Sequence, residues 1–366
     1  MEGHSQEPKR CVAILRQLER HTCHGTRRAI AIARTGFWYE LLRFETDKGT
    51  PYGLGKFLQP ETYRKNEDNI AFSHNLWAKY AVGTHIPSPA LLQLVEVKQP
   101  GSLANFHHVL FDVIDPDAPV VANAQLLFRR MHPAVQCAVF ESRALKLGHY
   151  GRRRSLARSL RALEGQWHLD GLAATILLLR EALAANEEEA IFEIGNAIHR
   201  ALVVATSSGP GFPLRRELIM LVCLLVFPLV SSFGREFAAT IDEIEHQSHV
   251  LLETILHLED SDKIGLLPRD TLNATASILR GDYGFDLFYG LQPRLRAVGA
   301  IEALPMRSRQ DLVRDEVLGG WAREVLRSHR VEKMIPKMVI RQWVDRLRAV
   351  GAEASIAGLY ALRRRS

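Results

Sequence analysis

The stretch NLWAKYAVGTHIPSPALLQLVE, residues 75–96, carries the signals that decide the local fold around it. Trp77 and Tyr80 are three residues apart, which is the spacing of neighbours on one face of a helix. Gly83 follows three residues later, and glycine readily takes the left-handed conformation that ends a helix. Ser88 and the proline after it then favour a new helix start, because serine caps helix N-termini and proline suits the first helical position. The stretch therefore predicts two helices joined by a tight turn.

The rest of the chain also has mainly helical spacing of its apolar residues, and we find no run of alternating β-branched residues long enough for a large sheet. We therefore predict an all-α fold. In the N-terminal part we expect short helices interrupted at Gly25 and Gly36 and a turn at residues 48–55, whereas residues 109–114 fit a short strand or a helical turn. The later predicted helices are residues 122–131, 134–146, 155–163, 169–185, 187–206, 214–233, 236–258, 269–279, 311–327 and 337–362.

Residues 73–97 resemble part of a phage-repressor-like (XRE-type) helix-turn-helix, in which a recognition helix ends at a glycine and a Pro-Ser pair starts the next helix. The same order of residues also resembles uncharacterised bacterial proteins. The resemblance is carried by Trp77, Lys79, Tyr80, Gly83, Pro87, Ser88, Leu91, Leu94 and Val95.

The resemblance implies DNA binding, with base contacts in the major groove and phosphate contacts from the residues just before the recognition helix. The implied base contacts are Ser73, His74, Asn75 and Lys79, and the implied phosphate contacts are Arg64 and Lys65. Residues 63–72 are too short and too acidic for the family's preceding helix. The alternative interpretation is a helix-loop-helix in which Trp77 and Tyr80 only pack within a core.

The sequence DPDAP at 115–119 interrupts helical structure and suggests a domain boundary. From its length of 366 residues, we expect the chain to form about two domains. We place a small N-terminal helical module at 1–118, which contains the helix-turn-helix-like segment 73–97. A larger helical-bundle domain then spans 119–366.

Residues 218–230, LIMLVCLLVFPLV, form the most apolar run of the C-terminal domain. A membrane-spanning helix needs about 20 apolar residues, and shorter runs are more typical of core helices. Pro228 also interrupts this run near its end. We therefore predict a buried helix at 214–233 and no membrane span.

The charge balance favours an acidic partner. The chain has 47 Lys and Arg against 41 Asp and Glu, a net charge of +6 and a pI of about 9.2, which favours nucleic acid first and an anionic membrane surface second. The four cysteines are spread out without a C-x-x-C pair, which favours thiols in a reducing compartment. Residues 1–10 lack the apolar region of a signal peptide, so we expect a cytoplasmic protein.

A second basic signal lies between Glu141 and Glu164, where no acidic residue occurs. The cations in this interval are Arg143, Lys146, Arg152, Arg153, Arg154, Arg158 and Arg161. Glycines within the run suggest a basic hinge, and such a run attracts phosphate without regard to base sequence. From this hinge we select Arg152, Arg153, Arg154 and Arg158 as nucleic-acid contacts. The alternative is a solvated helix face or an ion-paired surface.

The sequence offers no motif for catalysis: the G-x-S-x-G, Walker A and dinucleotide-binding patterns are missing. We therefore predict no catalytic residues, no cofactor and no enzymatic activity. Glu243 and His246, with His249 beside them, have the Glu-x-x-His spacing of ferritin-like di-iron sites. Because no second motif of this kind occurs, we predict a solvated helix face and no metal site.

Together these features predict a non-enzymatic, nucleic-acid-associated or regulatory protein of bacterial type. The helix-turn-helix-like segment and the basic hinge would bind DNA. The alternative is a helical scaffold that binds a protein partner and has no nucleic-acid role.

Overall fold

Helices make up nearly all the regular structure, which confirms the all-α prediction. The computed structural model describes residues 7–65, 71–72, 75–164, 166 and 169–352. The α-helices are α1 Glu7–Leu18, α2 Cys23–Thr46, α3 Pro51–Leu58, α4 Leu76–Ala81, α5 Pro89–Lys98, α6 Ser102–Phe106, α7 Val109–Val113, α8 Ala124–Arg130, α9 Pro133–Val139, α10 Ser142–Lys146, α11 Leu156–Glu164, α12 Leu169–Ala184, α13 Glu188–Ser207, α14 Arg215–Leu221, α15 Ile241–Asp260, α16 Pro268–Arg280, α17 Phe285–Gly290, α18 Met306–Arg314, α19 Gly320–Arg327 and α20 Lys337–Ala349.

Short strands form two separate antiparallel pairs within the described ranges. The strands are β1 Arg64–Lys65 paired with β2 Ala71–Phe72, and β3 Arg235–Phe237 paired with β4 Leu295–Ala297. Segments of π-helix continue α14 at Val222–Val226 and α18 at Asp315–Gly319. The 3₁₀ segments are Pro60–Thr62, Gly209–Leu214, Phe227–Val230 and Ile301–Ala303.

Helix α2 is one continuous helix, so the expected interruptions at Gly25 and Gly36 are wrong. Thr22 caps its start by accepting a hydrogen bond from the Gly25 amide at 3.0 Å. Gly36 lies inside the helix because the side chain of Arg10 crosses at that point, and a Cβ on Gly36 would lie 2.8 Å from Arg10 Cδ. A packing contact from another helix, which a local pattern does not show, therefore explains this glycine.

Other helix boundaries also differ from the sequence prediction. The expected turn at 48–55 is wrong, because Thr50 caps α3 by accepting from the Gly53 amide at 3.0 Å. The single helix expected at 134–146 is divided into α9 and α10, since Phe140 forms an antiparallel bridge with Arg152. Residues 109–113 are helical, and the expected helix at 236 starts only at Ile241, after β3.

The largest apolar cluster takes side chains from most of the chain. It includes Ile14 of α1, Phe37 of α2, Leu177 of α12 and Ile244 of α15, and so has members on both sides of residue 118. A second cluster surrounds Trp38, Trp77 and Leu54. A third joins α18–α20 around Trp343. The division at 118–119 stays a prediction.

A buried ion-pair network connects the N-terminal helices to α14. Arg10 is 1% exposed, and its Nε donates to Glu217 Oε1 at 2.5 Å. Its Nη1 donates to Glu40 Oε1 at 2.9 Å and to the Ala81 carbonyl at 2.8 Å. One guanidinium group therefore holds α1, α2, α14 and the end of α4 together.

The apolar run at 214–233 begins as a buried helix and then changes form. Leu218 and Leu221 in α14 are fully buried, whereas Leu224 in the following π-helical segment is 43% exposed. The run ends in the 3₁₀ segment that contains Pro228. In the described residues, no helix has the length and apolar character needed to cross a membrane.

Candidate nucleic-acid interface

The helices predicted from residues 75–96 are present as α4 and α5. Gly83 has a φ of +70°, in the left-handed region, and follows α4 directly after its cap. Ser88 Oγ accepts a hydrogen bond from the Leu91 amide at 3.3 Å and caps α5. A Cβ on Gly83 would lie 2.4 Å from Ile32 Cγ2 of α2, so the turn also needs glycine for close packing.

The aromatic residues of α4 pack into the second apolar cluster. The Trp77 ring stacks on Trp38 with centroids 5.6 Å apart, and its Nε1 donates to Gln59 Oε1 at 3.0 Å. Tyr80 is 3% exposed and contacts both tryptophans edge-on. These contacts fix α4 against α2 and α3, as the core-packing interpretation expects.

The exposed side of α4 carries two of the predicted base contacts, Asn75 and Lys79. The six residues of α4 extend for about 9 Å. In front of α4 the backbone of Arg64 and Lys65 pairs with β2, so the element before α4 is a strand pair. Ser73 and His74 lie outside the described residues, as do the side chains of Arg64 and Lys65. The resemblance to a DNA-binding helix-turn-helix stays a prediction.

The predicted basic hinge is a closed loop. We call residues 141–153 the basic loop, because the Glu141 amide donates to the Gly151 carbonyl at 2.9 Å and the Arg153 amide donates to the Val139 carbonyl at 3.0 Å. Tyr150 packs edge-on against Phe140, with ring centroids 5.3 Å apart. The backbone of the loop is therefore anchored at its base, and helix α10 lies within it.

Two of the selected arginines are bonded within the fold. Arg152 forms an ion pair with Glu181 at 2.6 Å and lies 4.1 Å from the centre of the Phe128 ring. Burial lowers the pKa of Arg152 and raises the pKa of Glu181, and the ion pair opposes both shifts. Arg153 donates to the Cys137 carbonyl at 2.6 Å and to the Phe140 carbonyl at 3.2 Å. Both residues therefore have a structural role at the base of the basic loop.

The remaining cations of this part of the chain point into solvent. We call them the five exposed cations: Arg143, Lys146, Arg154, Arg158 and Arg161. Within the part of the chain that the structure describes, their side chains form no ion pair or hydrogen bond. Arg143, Lys146 and Arg161 belong to the basic run but are not among the contacts that we predict from the sequence, because the sequence does not distinguish bonded from exposed cations.

Helix α11 separates its cations cleanly from its apolar residues. Leu160 and Leu163 are buried at 4% and 0% exposure, whereas Arg158 and Arg161 lie on the opposite, exposed side. Arg154 precedes the helix by two residues. α11 packs on α9, α12 and α13, whereas α4 packs on α2 and α3, so the two predicted DNA-binding segments have different neighbours.

The Glu-x-x-His pattern in α15 is used to begin a helix. Thr240 Oγ1 accepts from the Glu243 amide, and Glu243 Oε2 accepts from the Thr240 amide, both at 3.2 Å. The Glu243 carboxylate also pairs with Arg294 at 3.1 Å. Among the described residues, no three His, Cys, Asp or Glu side chains are arranged to hold a metal ion.

A cleft of about 450 Å³ lies between α2 and residues 111–127. Its cations, on α2, are paired with acids of the opposite wall: Arg34 with Asp112 at 3.0 Å and Arg27 with Asp115 at 3.6 Å. This neutralisation leaves little net attraction for phosphate. The five exposed cations are therefore the stronger candidate for a nucleic-acid interface.

Comparison of the chain with known protein families, with curated proteins and with solved structures gave no match.

Proposed function

We propose that the protein associates with nucleic acid through the five exposed cations, by contacts to phosphate that do not depend on base sequence. The observation that carries this proposal is the contrast within one basic run. Arg152 and Arg153 are bonded within the fold, whereas the five exposed cations have no bonded partner among the described residues. A cytoplasmic location, which the sequence leads us to expect, would give access to nucleic acid.

The five exposed cations contribute little to the stability of the folded chain. Arg158 and Arg161 are three residues apart on α11, and like charges at that spacing destabilise a helix by a few tenths of a kcal/mol. The one acid of α11 is Glu164, three residues after Arg161, and its carboxylate is paired with Arg200 at 2.5 Å. A phosphate backbone would remove this repulsion and would release its own counterions on binding.

The segment around α4 has a secondary place in the proposal. Asn75 and Lys79 are exposed and remain the predicted base contacts, together with Ser73 and His74. Arg64 and Lys65 remain predicted phosphate contacts. Sequence-independent binding does not require the four predicted base contacts, so replacing those four tests specificity separately from affinity.

Salt dependence measures the number of phosphates that the protein neutralises. We expect the affinity for a labelled DNA duplex, followed by fluorescence anisotropy, to fall between 50 and 200 mM salt, the range over which phosphate contacts weaken strongly. If each of the five exposed cations neutralises one phosphate, the slope of log K against log salt is about −4.5. Replacing Arg154, Arg158 and Arg161 by Gln should reduce it to about −1.8.

The matched control removes the same charge from other exposed sites. Arg20, Arg269 and Arg341 are exposed on three different parts of the chain, and their replacement by Gln also lowers the net charge by three. The control should keep the steeper slope. Equal effects of the two triple variants would show that only net charge matters and would overturn the proposed interface, as would a failure to bind duplex DNA at 50 mM salt.

A scaffold that binds a protein is the second candidate function, and a different surface favours it. Val331, Met334 and Met338 are 75%, 59% and 67% exposed around the start of α20. These three apolar side chains are exposed within eight residues of the chain, and a contiguous exposed apolar patch is typical of protein contacts. A photocrosslinker at Met338 should then form protein adducts in cells, whereas one at Arg269 should not. Equal labelling at both positions would count against this function.

A further inference from the structure

A groove with two lobes lies between helices of the C-terminal half, far along the chain from the basic loop. The polar lobe, about 320 Å³, lies between α13, α18 and α20. The apolar lobe, about 220 Å³, lies between α17, the residues leading into β4 and the π-helical segment after α18. Asn196, Asp311 and Arg314 line both lobes, so the two volumes adjoin at these side chains. Together they fall within the range of about 300–1,000 Å³ of small-molecule sites.

The polar lobe presents two arginines from one helix face. Arg307 and Arg314 are seven residues apart on α18, with Gln310 between them on the same side, and all three line the lobe. The Arg307 side chain is 66% exposed and contacts Glu193 at 3.4 Å. An exposed ion pair of this length contributes little to stability, so Arg307 can exchange its partner at small cost.

The charge is positive where the two lobes meet, a place that we call the waist of the groove. Asp311 is shared between two guanidinium groups, since Arg235 binds one carboxylate oxygen and Arg314 binds the other at 2.8 Å. Arg235 is 3% exposed and lies 3.6 Å from the centre of the Phe192 ring. Around the groove the four cations Arg235, Arg307, Arg314 and Arg323 are paired with three carboxylates, those of Glu193, Asp311 and Asp315, which leaves one positive charge in excess for a ligand. Arginine pairs of this kind suit phosphate, because each guanidinium can donate two parallel hydrogen bonds.

The apolar lobe has walls suited to a flat ring. Phe288 and Tyr289 of α17 contribute aromatic side chains, and Pro293 and Leu295 contribute aliphatic ones. Asn196 and Gln292 also line this lobe, and amides can pair with the donors and acceptors at the edge of a heterocycle. Gln292 already accepts from Arg200 and donates to the Phe288 carbonyl, both at 3.2 Å, and Asn196 Nδ2 donates to the Phe192 carbonyl at 3.0 Å. Among the described residues Asn196 Oδ1 accepts no hydrogen bond, so it can accept from an amino group at the edge of a heterocycle, which favours such a ring over an aliphatic chain.

The π-helical segment Asp315–Gly319 makes one wall of the apolar lobe rigid. Asp315 accepts from the Leu295 amide at 2.8 Å and from Arg323 Nη1 at 2.7 Å, which fixes β4 to this wall. A Cβ on Gly319 would lie 2.5 Å from Asp315 Oδ1, so the close approach requires glycine. Segments of π-helix occur frequently at functional sites, and here one adjoins the waist of the groove.

We propose that this groove binds a small molecule of the nucleoside monophosphate class. The heterocyclic ring lies in the apolar lobe beside Asn196, and the phosphate lies in the polar lobe between Arg307 and Arg314. Because the apolar and polar lobes lie side by side along the groove, the ligand can bind in only this orientation. This inference is independent of the five exposed cations, because the two sites share no residue.

Isothermal titration of the full-length protein with AMP, adenosine and inorganic phosphate tests both lobes. AMP should bind at least tenfold more tightly than either fragment, because only AMP fills both lobes. Arg307→Gln should weaken AMP binding by about tenfold or more, the loss expected for a hydrogen bond to a charged group, and should leave adenosine binding unchanged. Asn196→Leu should weaken both AMP and adenosine.

The matched control is Arg296→Gln. Arg296 is 70% exposed and pairs with Glu236, much as Arg307 pairs with Glu193, but it lines neither lobe. This variant, and the triple variant of Arg154, Arg158 and Arg161, should bind AMP as the parent protein does. The inference is overturned if AMP binds no more tightly than inorganic phosphate, or if Arg307→Gln and Arg296→Gln have equal effects.

Discussion

Replacing Arg10 by Met should lower the free energy of unfolding by about 3–5 kcal/mol, because removing one partner of a buried ion pair takes a counter-charge away from the other in the interior. The structure indicates where this cost arises. Glu217 is fully buried and lies 2.5 Å from Arg10, whereas Glu40 retains its ion pair with Arg43 at 3.0 Å. The loss of the Arg10 charge should therefore cost most at Glu217, because that carboxylate is fully buried.

The second variant separates electrostatics from packing. Arg10→Met combined with Glu217→Met removes both buried charges, and apolar replacement of a whole buried pair is often neutral or stabilising. The double variant should therefore recover most of the loss. Arg16→Met is the control, since Arg16 is exposed on the same helix and should change stability by less than about 0.5 kcal/mol.

Urea unfolding followed by tryptophan fluorescence and circular dichroism measures these differences. Trp38 and Trp77 report on the second apolar cluster, and Trp343 reports on the third. A loss below about 1 kcal/mol for Arg10→Met would refute the argument from buried charge. So would a double variant as unstable as the single one. Because the network joins both sides of residue 118, we expect fluorescence and circular dichroism to show one shared transition in the parent protein.

Three further predictions follow from single side chains. Trp77→Ala should destabilise the protein by about 3–5 kcal/mol in urea, whereas Asn75→Ala with Lys79→Ala should change stability by less than about 0.5 kcal/mol; a small effect of Trp77→Ala would contradict the core-packing role of α4. Burial lowers the pKa of His199 from its ordinary value of 6.5 to about 3. The neutral, buried imidazole therefore contributes its full stability above pH 6.5, and this contribution is lost as the pH falls toward 3. Between pH 7 and pH 5 the His199→Leu variant should therefore lose about 2 kcal/mol less stability than the parent protein does. An unchanged pH dependence would refute this. Gly36→Ala should lower the thermal midpoint despite the better helix propensity of alanine, and a raised midpoint would show that the Arg10 side chain moves aside freely.

Local signals in the sequence predicted the local elements well. Gly83 and Ser88 act as the stop and the start that their residue types suggest. The spacing of apolar residues placed the long helices α12 and α13 close to their observed ends. These features depend on neighbours within a few residues, which is the range over which helical spacing and capping operate.

Features that depend on distant contacts were not predictable in this way. Gly36 and Gly53 are residues that commonly interrupt helices, yet both lie within helices. Gly36 is there because Arg10 packs against it, and Gly53 because Thr50 caps the helix that contains it. Likewise, Arg152 and Arg154 are indistinguishable in sequence, and contacts with Glu181 on α12 and with the Phe128 ring make the first a structural residue. The groove beside Arg307 depends on helices more than 100 residues apart, since α13 contributes Glu193.

The ion pair between Arg10 and Glu217 also constrains the order of events during synthesis. The two residues are 207 positions apart. At about 5–20 residues per second, Arg10 leaves the ribosome roughly 10–40 s before its partner. During that interval Arg10 can pair with Glu40 of α2 and with the Ala81 carbonyl, but α1 cannot yet pack on α14. The docking of α1 on α14 is therefore a late step of folding, whereas its packing on α2 can form earlier.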